Sequence, residues 1–308
     1  MFVGTVKEIW RHPVKSMAGE KLEACTVDSL GIPGDRGWAL RDEQAKEITN
    51  GKRIPLLMHC AARYRQQPAN GTIPHVDITF PDGSGIASDD PRVNARLSEV
   101  FGKDLTLWPR QPPTNKQHYR RNAPAARLMS PLMKVPGFRS LLPMLTKLPN
   151  LDKPLREAFS REPNEPIPDI SILPAEVLEF TSPLGTYFDA FPIHLLTSAS
   201  LATMAQFNPS AVWDPRRFRP NFFIETAEGI EGLIEANWAG RRLRVGTVEL
   251  KCEIPCVRCG MTSHSQKELP KDPSVLRSIV KDADQNLGVY ASVVKNGNVR
   301  EGDAVELV

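Results

Sequence analysis

The chain has 308 residues, 41% hydrophobic and 24% charged, with a formal net charge of +3. This is the balance of a soluble globular protein with room for one large domain or two of ordinary size. The small net charge excludes a generally basic nucleic-acid coat while permitting a local basic pocket, and no run approaches the ~18 apolar residues of a membrane span.

The 28 prolines are roughly twice the ordinary share and favour strands, turns and loops over long helices. The N-terminal stretch MFVGTVKEIWRHPVK has no apolar core of a signal peptide. A cytoplasmic location is therefore expected, where clustered thiols point to metal binding or catalysis more than to disulfides.

In chain order, residues 2–10 and 21–27 are predicted as short strands, and 37–40 as another after the turn-rich GIPGD. The loop RHPVKSMAGE between the first two carries Lys15 and Ser16, and the turn at 31–34 delivers Asp35 and Arg36. Residues 72–87 read as β structure with a Pro81-Asp82-Gly83 turn. A helix follows, with Asp90 as N-cap, Pro91 at its first position, and Gly102 closing it. Thirteen prolines fall within residues 112–183, with basic Arg120, Arg121 and Arg127 near the start. This stretch reads as a linker or a loop-packed insertion, in which residues 129–148 form short helical turns cut by Pro131, Pro136 and Pro143.

Past Asp189, Ser198 or Ser200 can cap a short helix, and residues 220–225 form a strand candidate. Residues 242–254 alternate as a hairpin or bulged strand around Gly246. Asp272-Pro273 opens a second capped helix. Residues 288–294 are a strand, Asn296-Gly297 a hairpin turn, and 304–308 a last strand. The fold class expected is mainly β with short helices (α+β), built as two β-barrel-like domains. The boundaries are 1–110, a proline-rich insertion or linker at 111–183, and 184–308.

Three of the five cysteines cluster at Cys252, Cys256 and Cys259 in KCEIPCVRCGMTS. C-x3-C-x2-C supplies three thiolates, whereas a structural zinc site wants four ligands, and His264 would make a cramped fourth. A Cys256/Cys259 redox couple lacks a thioredoxin-type βαβ context, and Cys252 and Cys256 also fit as buried scaffold. Cys259 follows Arg258, whose charge favours a thiolate, and precedes Gly260, which lets a large ligand approach the backbone. A single thiolate there can be a nucleophile or one protein ligand to a soft, cofactor-borne metal. Lys15-Ser16, Arg36 and DPRRFRPN are separated positive loops, and Thr197-Ser198 lies at a helix start where backbone N–H groups accept phosphate. Together they could surround an anionic cofactor. No dinucleotide, P-loop, zincin or nucleophile-elbow motif is present in the sequence.

PVKS, GDRGWAL, HLLTSASL, FRPN, PCVRCGMTS, GVYA and the terminal NVREGDAVELV occur in an order that resembles MOSC-domain proteins carrying an N-terminal MOSC β-barrel domain. The likeness is to the amidoxime-reducing component and its bacterial counterparts, and covers roughly residues 1–100 and 180–308. It implies a molybdenum cofactor (Mo-molybdopterin) held between two barrels, with Cys259 as the catalytic metal ligand. Cofactor contacts are implied for Lys15, Ser16, Arg36, Thr197, Ser198, Arg219, Asn221, Arg258 and Tyr290. The implied activity is reduction of N-oxygenated small molecules by a monomer drawing electrons from a flavoprotein, cytochrome or ferredoxin-type donor. The alternative is a cofactor or sulfur carrier without turnover. After the cysteines the sequence departs from the family pattern: the Asp-Pro pair comes late, at Asp272-Pro273, and His264 stands where a carboxylate or small residue is expected.

Overall fold

The alternating residues at the N-terminus find their partners at the far end of the chain. A computed structural model describes residues 1–69, 71–122, 131–132, 135, 137–145, 149–174 and 176–308. In it β1 (Phe2–Arg11) buries Val3, Val6 and Ile9 and pairs with two strands that lie beyond residue 220. The predicted strand at 21–27 breaks at Glu23. Its first half, β2 (Glu20–Leu22), pairs with β1, and its second, β3 (Ala24–Val27), goes elsewhere.

Two three-stranded sheets follow. One joins β4 (Trp38–Asp42), β5 (Glu47–Ile48) and a strand near residue 105, and the other joins β6 (Ala61–Tyr64), β7 (Val76–Thr79) and β8 (Gly85–Ala87). The turn between β7 and β8 holds Pro81-Asp82-Gly83 as predicted. Helix α1 (Val93–Phe101) ends on Gly102 in the left-handed region, as expected. It starts later than its capping signal, because Asp90 accepts from the Arg92 backbone N–H and closes a turn before the helix. Strand β9 (Leu105–Pro109) completes the first sheet, and Trp38, Leu40, Ile78, Leu97 and Leu105 share one core.

Within the proline-rich stretch, α2 (Phe138–Leu145) runs through Pro143, and α3 (Pro149–Phe159) contains Pro154. Pro143 therefore does not cut the helix as predicted. The other calls there fall partly outside the described residues, which exclude Arg127, Met129, Pro136 and 146–148.

Strands β10 (Ile193–Thr197), β11 (Phe222–Thr226), β12 (Arg242–Val245), β13 (Val248–Val257), β14 (Asn286–Lys295) and β16 (Ala304–Leu307) join β1 in a closed seven-stranded barrel. The order is β11-β10-β14-β13-β12-β16-β1 and back to β11. Every pair is antiparallel except β10–β11, which are bridged by helix α4 (Ser198–Phe207). Val6, Leu195, Phe222, Leu250, Cys252 and Val289 fill its interior. Gly246 makes β12–β13 a hairpin, as the alternation predicts. Helix α5 (Pro273–Asp282) begins where its Asp-Pro signal lies, with Asp272 accepting from the Ser274 N–H. Asn296-Gly297 does not make a hairpin. Instead β15 (Gly297–Arg300) leaves β14 to pair with β3. The architecture is mostly strands with a few short helices, as expected.

Candidate functional site

The strand β13 carries its alternation up to Val257 and then releases the chain, so Arg258 and Cys259 emerge at the barrel's end. There they meet the loop after β1, the turn before β4, the loop before β11 and residues between Leu155 and Leu173 together with Val177. These border a cavity of about 360 Å³. Lys15, Arg36, Arg219, Arg258, Cys259 and Tyr290, six of the residues singled out in the sequence, line it together. Lys52, Arg121 and Arg217 add positive charge, and Asp189 is the one carboxylate in the lining among the described residues.

Lys15, Arg36 and Arg219 are each held by protein partners. Lys15 is buried, and its Nζ donates to the Tyr187 carbonyl at 2.8 Å and to Asp189 Oδ1 at 2.7 Å. Burial pushes the Lys15 pKa down, while the Asp189 charge opposes that. Asp189 itself has 63% of its side chain accessible, because it faces the cavity. Although desolvation opposes ionisation, Lys15 and Arg36 hold its carboxyl below the usual range. Arg36 sits at φ +50° and pairs with the fully buried Asp35, which also accepts from the His12 backbone N–H at 2.7 Å. His12 is kept neutral by burial and then by Arg219, its pKa lowered to about 3.

Arg219, also at positive φ, donates from Nη1 to the Met17 carbonyl at 2.6 Å. Burial, followed by repulsion from Arg36, lowers its pKa to about 9. Arg219 Nη2 and Arg258 Nε are buried with no hydrogen-bond partner among the described residues. A cation-rich cavity with orphaned guanidinium donors suits an anionic group such as a phosphate, which would satisfy those donors and relieve the mutual repulsion.

The other predicted contacts lie outside the lining. Ser16 is buried at φ +69° beside Lys15. Asn221 ties strands together: its Oδ1 accepts from the His194 N–H at 3.0 Å and its Nδ2 donates to the Trp10 carbonyl at 3.3 Å. Thr197, rather than Ser198 or Ser200 as expected, is the N-cap of α4, its hydroxyl accepting from the Ser200 N–H, and Ser198 Oγ accepts from the Thr226 N–H at 3.0 Å. The acceptor at this helix start comes from the protein. The buried Glu235 accepts from the Thr197 N–H at 2.6 Å and from the Ser200 hydroxyl. Glu235 thus takes part of the hydrogen-bonding capacity that the sequence offered to a phosphate at Thr197 and Ser198.

Arg258 also differs from expectation. Its Nη1 donates to Cys256 Sγ at 2.8 Å and its Nη2 to the Phe218 carbonyl at 2.9 Å, so its side-chain thiol partner is Cys256. Burial raises the Cys256 pKa, and the Arg258 charge opposes that. Cys252 lies in the barrel core. His264 does not line the cavity. Its carbonyl, like that of Thr262, takes Arg217 Nη1 at 3.4 Å, which fixes the turn after Cys259. Among the described residues no three His, Cys, Asp or Glu side chains gather as a metal site. Cys259 is half-buried at the start of that turn and opens into the cavity.

Gly260 serves a different neighbour from the one its position implies. A Cβ there would lie 2.4 Å from Ser160 Oγ, so glycine lets the end of α3 press against the cysteine turn. Arg161, which the sequence did not single out, fastens this contact. It is buried and donates to the Arg258 carbonyl at 3.0 Å, to Gln285 Oε1 at 3.0 Å and to the Phe159 carbonyl at 2.7 Å. Lys52 and Arg277 take the Ala158 and Ser160 carbonyls at 2.7 and 2.6 Å, placing cations at the α3 C-terminus. Replacing Arg161 with alanine leaves two buried acceptors without their donor, a local cost of about 1–3 kcal/mol. Hydrogen exchange in 149–174 should rise while the barrel strands keep their protection.

The family model "MOSC domain" matches residues 185–306, and "MOSC N-terminal beta barrel domain" matches residues 3–105. Mitochondrial amidoxime reducing component 2 of Bos taurus is 27% identical over 98% of this chain and 83% of its own length. The Homo sapiens protein of that name is 24% identical at the same coverage. Molybdenum cofactor sulfurase of Drosophila pseudoobscura pseudoobscura is 29% identical over 35% of this chain and 13% of its own length.

Proposed function

We propose, for a chain that belongs to the MOSC-domain proteins with an N-terminal MOSC β-barrel domain, that the cavity binds a molybdenum cofactor and serves the reduction of N-oxygenated small molecules. The observation that carries this reading is the convergence of buried and half-buried cations, two of them with orphaned donors, on a cavity that also opens onto Cys259. Arg36, Arg219 and Arg258 would hold the anionic part of the cofactor. Cys259 would supply the one protein ligand, a thiolate suited to a soft metal. When bound, the cofactor would supply two-electron reduction of the N–O bond, the oxygen leaving as water. The protein's part is to bind, orient and exclude water. Lys15, neutralised by Asp189, holds its loop against the 187–189 segment. Arg258, fixed by Cys256 and the Phe218 carbonyl, keeps the cysteine turn in register.

The amidoxime reducing components align with nearly the whole chain, which supports an enzyme acting on N-hydroxylated compounds with electrons from a separate redox protein. Among the described residues no helix is long and apolar enough to cross a membrane. All five cysteines are free, which agrees with a reducing compartment such as the cytoplasm.

The test is molybdenum and pterin analysis of freshly purified protein, together with benzamidoxime reduction driven by reduced methyl viologen. Near-stoichiometric metal with turnover is expected. Arg219→Ala should lower cofactor content about tenfold or more, as loss of a buried charge-assisted donor predicts, with circular dichroism unchanged. Metal without turnover, or persulfide on Cys259, would replace the reading with a carrier; absence of pterin would overturn both.

A further inference from the structure

The cavity lining divides by origin. Its cations come from loops at 15–52, from Arg121 and from 217–258, the last of which also brings Phe218 and Val257, whereas Leu155, Ala158, Phe159, Ile170, Leu173 and Val177 add apolar side chains and no charge. Phe159, Leu155 and Leu173 pack with Ile170 and Leu142 into a small core of their own, yet remain only half-buried and border the cavity. A surface that is pre-packed on one side and left apolar toward a cation-bordered cavity is suited to an apolar ligand group. It also stands beside Cys259: Ser160 blocks any side chain at position 260, and Arg161 grips the carbonyl of Arg258. Whatever approaches Cys259 through this cavity meets the apolar stretch.

We propose that residues 155–173 form a specificity wall selecting compounds whose N–O group is attached to an apolar body, an aryl or branched alkyl group that lies on Leu155, Phe159 and Leu173. The inference rests on the molybdenum-cofactor reading for its chemistry, but not for the wall itself. Phe218, Val257 and Met261 line the cavity among the cations that would hold the anionic group, whereas Leu155, Phe159 and Leu173 come from a segment that brings no charge to the lining and are free to meet the substrate's body.

The test compares benzamidoxime with acetamidoxime, which share the reacting group and differ in the body. In the purified holoprotein the KM for benzamidoxime should be about tenfold lower, the value of one ring's partial burial. Phe159→Ser should abolish most of that preference, and Leu155→Asn serves if the first variant fails to fold. Leu141→Ser, exposed on α2 and outside the lining, should retain the preference. Molybdenum content and melting temperature, measured on each variant, separate wall from scaffold. Equal KM values in the parent protein, or a Phe159→Ser change that shifts both compounds alike, overturns the wall. If the holoprotein reduces neither compound, the enzymatic reading fails and the wall is judged by calorimetry. Tighter benzamidoxime binding that Phe159→Ser removes supports it, and equal or absent binding of the two overturns it.

Discussion

Cys259→Ala should abolish N–O reduction, by about three orders of magnitude or more, while the protein folds as before. Two features of the position separate the effects. The cysteine lies outside the barrel core, half-buried, at the first position of a short turn with extended backbone (φ −131°, ψ 179°) that alanine adopts freely. Its removal therefore costs no more than about 0.5 kcal/mol. The cations that would hold the anionic part of the cofactor, Arg36 and Arg219, reach the cavity from other loops. Pterin should then be retained better than activity. Cys256→Ala provides the contrast. That thiol accepts from Arg258 Nη1 at 2.8 Å inside the protein, so its loss frees a buried guanidinium and should cost stability as well as rate. The measurements are viologen-linked turnover, pterin fluorescence after denaturation and thermal melting. A fully active Cys259→Ala protein removes the ligand assignment, and a Cys256→Ala protein with normal stability removes the positioning role.

The sequence disclosed most where the relevant physics is local. Alternation around Gly246 marked the hairpin that presents the cysteines, and Asp272-Pro273 and Gly102 marked helix ends, because caps and strand periods act over a few residues. It disclosed least where partners are distant. Asn296-Gly297 carries hairpin chemistry, but β15 finds a better partner in β3, some 270 positions earlier. Nothing local tells that β1 closes a barrel with β11 and β16. In the site, Lys15, Arg36, Arg219, Arg258, Cys259 and Tyr290 were legible through their motifs, and the cavity brings them together. Asp189 and Arg161 carry no motif; each matters through what it touches after folding. Arg161 follows a helix that contains Pro154, a residue that signals a break unless tertiary packing overrides it. Thr197 and Ser198 were correctly placed at a helix start, but the carboxylate that occupies that start, Glu235, lies 38 residues from Thr197.

Glu235→Ala should be the most destabilising single change outside the hydrophobic core, by about 2–4 kcal/mol. The side chain is 1% exposed and serves the first turn of α4, taking the Thr197 N–H at 2.6 Å and the Ser200 hydroxyl. Alanine leaves both donors buried and unpaired at the helix N-terminus. Glutamine keeps an acceptor for the Thr197 N–H, so Glu235→Gln should cost far less. The pH dependence distinguishes charge from hydrogen bonding. Desolvation raises the Glu235 pKa, and its hydrogen bonds only partly oppose this. The folded state therefore binds this proton more tightly than the unfolded state. The linked stability is fully present below the ordinary glutamate pKa and is lost as pH rises through the raised folded value. Chemical denaturation of the parent protein across that window, compared with Glu235→Gln, isolates the term: the parent should lose stability relative to the amide variant as pH rises. A parallel pH profile for the two proteins would show that the carboxylate's charge does not act at this helix terminus.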